Sequence, residues 1–79
     1  MALGGRAEWV RTRRVAERAR RELRKSPLIW GRRVSCDCRH GVLLLQGRLP
    51  SYYQKQLAQE AVKRIDGVWE IINEIEVTG

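Results

Sequence analysis

Cys36, Cys38 and His40 stand two residues apart, two thiols and an imidazole in one short run. Thiolate sulfur and imidazole nitrogen are the ligands a zinc ion prefers, and a thiolate beside a histidine is a nucleophile with its base. On a strand, residues two apart point to one face, so all three side chains would converge. The Cys-x-Cys-x-His spacing differs from the usual C-x-x-C pairs, however, and no second pair elsewhere completes a tetrahedral set. His40 is the sole histidine, and no recognisable orienting group or oxyanion hole accompanies it. Free cysteine is among the most buried residue types. The expectation is therefore two core cysteines, with no metal, no cofactor and no catalytic residue. A mutual disulfide is disfavoured, since same-face neighbours on a strand stand about 6.5–7 Å apart, at the far limit of disulfide geometry.

The second candidate chemistry is charge. Residues 1–39 hold twelve Arg/Lys against Glu8, Glu17, Glu22 and Asp37, a balance of +8, whereas residues 40–79 balance at −1. Trp9, Thr12, Ala16, Ala19 and Leu23 recur at spacings of three and four, with Val15 widening the stripe, which predicts a helix over 6–25. Arg11, Arg14, Arg18, Arg21 and Arg24 follow the same period on the other side, with Glu17 four residues before Arg21 as a supporting pair. Such a face raises the local concentration of anionic partners, beyond its bland role of keeping a small domain soluble. Trp9 shares the apolar stripe and reads as core. Trp30, beside Arg32 and Arg33, reads as a membrane or partner contact.

Gly4-Gly5 offers no side-chain cap, so residues 1–5 are expected to be a flexible lead into a single domain over 6–79. Ser26-Pro27 stops the first helix, and Leu28 to Gly31 is either a loop or its last turn. Val34, Cys36 and Cys38 alternate with polar residues as a half-buried strand. His40-Gly41 turns the chain into a second strand from Val42 to Leu49, with Leu43, Leu45, Gly47 and Leu49 on one face. Ser51 and Gln54 form a reciprocal capping box at the start of a second helix. That helix carries Leu57, Ala58, Ala61, Val62 and Ile65 on one stripe and runs to Asp66-Gly67, with Gly67 as its cap. A third strand alternates from Val68 to Val77. Gly41, Gly47 and Gly67 are thus a turn, a close approach within a strand, and a cap. The predicted architecture is α+β: an αββαβ two-layer sandwich with both helices on one face of a three-stranded mixed sheet. On the other sheet face Val42, Leu44 and Ile72 form a small apolar patch that would suit a partner.

The run Val34-x-Cys36-x-Cys38-x-His40-Gly41-Val42-Leu43-x-Leu45-x-Gly47-x-Leu49, then a helix, then Gly67-Val68-x-x-Ile71-x-Asn73-x-Ile75-x-Val77, resembles the BON domain. The resemblance covers roughly residues 28–77 and, with the first helix, nearly the whole chain. It implies the same αββαβ sandwich, with Cys36 and Cys38 at positions held by core Val or Ile. His40 stands where Asn or Asp is usual in the turn, a position histidine also accepts. The family implies a non-enzymatic module that attaches to phospholipid membranes or to other proteins, mostly in bacterial envelope proteins.

At 79 residues the chain holds one thin core, and its three Trp and two Tyr leave most of the interior to aliphatic residues. No apolar run approaches the ~20 residues of a membrane span. Met1 to Arg6 lacks the apolar middle of a secretory signal, and Glu8, Glu17 and Glu22 speak against an organelle transit peptide. As the sequence stands, the cytoplasm is the expected compartment, although the resemblance points to the envelope. The expected function is attachment to anionic phospholipid through the arginine helix, with Arg11, Arg14, Arg18, Arg21, Arg24, Arg32, Arg33 and Trp30 as contacts. The alternatives are non-specific nucleic-acid binding through the same arginines, or protein interaction and self-assembly through Val42, Leu44 and Ile72.

Overall fold

A computed structural model describes residues 2–29 and 34–78, with side chains from Thr12 onward in the first helix. The element order is α1 (Ala2–Arg24), β1 (Val34–Arg39), β2 (Val42–Leu49), α2 (Tyr52–Val62) and β3 (Glu70–Val77). β1 pairs antiparallel with β2, and β2 pairs parallel with β3, giving the order β1-β2-β3. Both helices contribute to the core on one side of this mixed sheet. The predicted αββαβ sandwich is therefore the fold.

α1 begins at Ala2, ahead of the expected start at Arg6. A glycine lowers helix propensity by about 1 kcal/mol without removing a hydrogen-bond donor, so Gly4-Gly5 weakens the first turn and does not stop it. At the other end Lys25 N–H donates to the Glu22 carbonyl at 3.2 Å and Ser26 N–H to Leu23 at 3.3 Å, tightening the last turn before Pro27. Residues 27–29 form a further turn that buries Ile29. The rest of the ambiguous stretch, Trp30 and Gly31, lies outside the described residues.

The alternation in β1 and β2 places Cys36, Cys38, Leu43, Leu45 and Leu49 beneath the helices, where they meet Ala16, Ala19 and Leu23 of α1 and Ala58 and Val62 of α2. Alanines at the helix contacts let the thin layer close without large side chains. Ile75 is the buried residue of β3, while Val77, expected on the same face, is exposed near the end of the strand.

Two details of α2 differ from the sequence reading. Ser51 caps the helix as expected, its Oγ accepting from Gln54 N–H at 3.1 Å. The Gln54 side chain does not return to the Ser51 backbone. Its Oε1 accepts from the Ser51 hydroxyl at 3.0 Å and its Nε2 donates to the Leu28 carbonyl at 2.9 Å, tying α2 to the turn after α1. α2 also ends at Val62, short of Asp66-Gly67. Ile65 N–H bonds the Val62 carbonyl and Val68 N–H the Ile65 carbonyl, so two consecutive turns carry Ile65 into the core without helix. Gly67, at φ 95°, serves the turn leading to β3 and is not the cap of α2.

Side chains occupy backbone groups on both edge strands. Arg20 donates to the Cys36 carbonyl at 3.5 Å, and Asp37 Oδ1 accepts from Cys38 N–H at 3.0 Å on β1. On β3, Asn73 Oδ1 accepts from Ile75 N–H at 3.2 Å while its amide donates to the Lys55 carbonyl and Gln59 Oε1. These contacts blunt edges that would otherwise template pairing with another chain.

Candidate functional site

The side of α1 opposite its buried stripe carries Arg14, Arg18 and Arg21, and Lys25 continues the row just past the helix end, at spacings of four, three and four. With 1.5 Å of rise per residue the row spans roughly 16 Å. All four are exposed, and Arg24 flanks them. Lys25 pairs with Glu22 at 3.0 Å, whereas Arg14, Arg18, Arg21 and Arg24 have no carboxylate within ion-pair distance among the described residues. Glu17, expected to support Arg21, lies instead 3.8 Å from Arg13. Helical side chains lean towards the N-terminal turn, which carries the Glu17 carboxylate back towards Arg13. Arg14, Arg18 and Arg21 are therefore like charges one turn apart, each such pair costing the isolated helix about 0.2–0.5 kcal/mol.

The remaining predicted contacts are not assembled here. Arg11 lies in α1 ahead of the described side chains, as does Trp9, and Trp30, Arg32 and Arg33 lie outside the described residues. Arg13 and Arg20, which the sequence reading left out, extend the basic surface down the β1 side of α1. There they line a shallow groove with Thr12, Ala16, Glu17 and Asp37. Their period differs from that of the outer row, so the pattern that revealed the row hid them.

The cysteines and His40 part company. Cys36 and Cys38 are both free and buried, and the Cys36 thiol donates to the Ala16 carbonyl at 3.5 Å. His40 follows the end of β1 in a left-handed conformation at φ 51° and is exposed, so the expected convergence of all three side chains does not occur. No group of three His, Cys, Asp or Glu suited to a metal ion occurs among the described residues. Burial pushes both thiols above the usual value of 9.0, with Arg20 partly offsetting this at Cys36 and the Gly41 backbone partly offsetting it at Cys38. The folded state thus holds these protons more tightly than the unfolded chain. Their contribution to stability is complete below about pH 9 and is lost as pH rises through the raised folded values. The unfolding midpoint is expected to fall above pH 9 more steeply in the native protein than in a Cys36→Val/Cys38→Val variant. Equal slopes would remove the thiols as the cause.

On the open sheet face the register sets Leu44 beside Ile72 and Val42 beside Glu70, with Asp37 and Arg39 across from Leu44 and Val42 on β1. Leu44 and Val42 are half-buried and Ile72 is 40% exposed. Glu70 and Glu74 flank Ile72 along β3, and Arg48 is paired with Glu76 at 3.2 Å. The apolar patch is thus present, small, and bordered by carboxylates, on the side of the molecule away from the arginine row.

The sequence reading missed Trp69. It is 72% exposed, yet its indole Nε1–H donates to the His40 carbonyl at 2.8 Å and its backbone N–H to the Gly41 carbonyl at 2.9 Å. A Cβ on Gly41 would overlap the ring at Cδ1, so glycine there serves both the turn, at φ 81°, and the seat of the indole. The partner lies in the β1–β2 hairpin, 29 residues away, which local pattern does not reveal.

Compared with known proteins, residues 11–79 match the family model described as the BON domain. A search of curated proteins finds none that matches.

Proposed function

The chain belongs to the BON domain family, and from that membership and the arginine row of α1 we propose that it is a non-enzymatic binding module that attaches to anionic phospholipid surfaces. The observation that carries the reading is the exposed set Arg14, Arg18 and Arg21, without carboxylate partners among the described residues, on the side of α1 turned away from the core. Guanidinium groups pair bidentately with phosphate. A straight row on a convex helix meets a flat headgroup layer without rearrangement. Near an anionic membrane each such cation contributes about 1 kcal/mol. Nucleic acid is less well served. The open sheet face, where single-strand binders place stacking aromatics, carries Leu44, Ile72 and the carboxylates Glu70 and Glu74.

Co-sedimentation with vesicles tests the proposal. The protein is expected to pellet with phosphatidylglycerol-containing vesicles at low salt, to be released as salt rises, and to ignore phosphatidylcholine alone. Failure to pellet at low salt, or tighter binding to short DNA or RNA under the same conditions, would overturn it.

A further inference from the structure

We infer that Trp69 is an interfacial anchor that acts with the arginine row, its indole inserted at the boundary between the headgroups and the acyl chains of an anionic membrane. The inference rests on the phospholipid reading above. Three observations lead to it.

First, the ring is exposed but held. Its Nε1–H is bonded to the His40 carbonyl, its backbone N–H is bonded to the Gly41 carbonyl, and Gly41 lies under it. His40 and Gly41 both have positive φ, which defines a tight two-residue hairpin turn and turns their carbonyls towards Trp69. An indole fixed in this way loses little side-chain entropy on binding.

Second, the only polar atom of the side chain is satisfied within the protein. What the ring offers to a partner is therefore apolar surface alone, and inserting it strands no donor. Exposed tryptophan with an unbonded N–H would favour the wet part of an interface; this one suits the boundary with the chains.

Third, the turn leading to the ring packs on the edge of α1 next to the arginine row. Gly67, two residues before Trp69, lies so close to α1 that a Cβ on it would meet Val15 Cγ2 at 3.0 Å. Val15 adjoins Arg14 and shares a helix side with Arg18, three residues on. The turn leading to Trp69 thus abuts the Val15 edge of the buried stripe, the edge nearest Arg18. The open face with Glu70 and Glu74, which an anionic membrane repels, is formed by the alternate residues of β3. Arginines for the phosphates and an indole for the layer beneath them combine electrostatic attraction with buried apolar area, the two contributions that set the strength of interfacial binding.

The test uses the full chain carrying Trp9→Phe and Trp30→Phe, so that Trp69 alone fluoresces. With phosphatidylglycerol vesicles containing brominated acyl chains, its emission is expected to shift to shorter wavelength and to be quenched by half or more, on the order of what burial near the chains gives. In the otherwise native protein, Trp69→Ala is expected to weaken vesicle binding about tenfold. The slope of log affinity against log salt is expected to stay unchanged, because no charge is removed. Vesicle binding with an unquenched Trp69 and an unaltered affinity in Trp69→Ala would overturn this inference while leaving the arginine reading intact. So would quenching by single-stranded DNA in place of lipid. Absence of all vesicle binding at low salt would overturn both.

Discussion

Replacing Arg14, Arg18 and Arg21 together by glutamine is expected to weaken binding to anionic vesicles on the order of a hundredfold, since three cations at about 1 kcal/mol each amount to roughly two powers of ten. Stability is expected to hold or to rise slightly. The three side chains are exposed and lack carboxylate partners among the described residues, and their replacement relieves like-charge contacts one turn apart. The combination separates a binding row from a solubilising surface: a row kept only for solubility would be spaced to avoid self-repulsion. Vesicle co-sedimentation and a thermal melt read the two quantities. A control with Arg39, Arg48 and Arg64 changed to glutamine removes the same charge elsewhere. Equal losses in the two variants would make net charge, and not the row, the determinant.

Leu45→Ala is expected to destabilise the domain by about 2–5 kcal/mol. Leu45 is 0% exposed at the centre of the middle strand, with Cys36 and Asn73 as its neighbours in register, so the cavity has no easy route to collapse. For a chain of this size that is a large share of a total of about 4–12 kcal/mol. The melting temperature would fall by about 10 °C or more. The adjacent Leu44→Ala, on the open face, is expected to cost less than about 1 kcal/mol because the side chain is only half-buried. Denaturant titration of the two variants compares the faces directly. Equal costs would contradict a core confined to the helix side of the sheet.

The strands were readable because period-two alternation acts locally. Val34–Arg39 and Val42–Leu49 form where the buried Cys36, Cys38, Leu43 and Leu45 alternate with less buried residues, polar on β1 and partly apolar on β2. The arginine row was readable for the matching reason, since helical period sorts α1 into two sides. What stayed hidden depends on partners distant in sequence. Gln54 looked like a local capping residue until its amide reached the Leu28 carbonyl, 26 residues away. Ile65 continued the stripe of α2, but buries itself through turns that periodicity cannot distinguish from helix. His40 continued the alternation of the cysteines, but a left-handed residue ends the strand's two-sided geometry. Trp69 had no local signal beyond its isolation ahead of β3, because its seat is the Gly41 hairpin.

Amide chemical-shift mapping with phosphatidylglycerol-containing bicelles at low salt decides whether the outer side of α1 meets an anionic membrane. The expected result is a continuous set of perturbed resonances at Arg14, Arg18, Arg21 and Lys25 that fades as salt is added, with Leu44, Ile72 and Glu74 on the open sheet face unmoved. Perturbations centred on Leu44 and Ile72, with the α1 row silent, would contradict it.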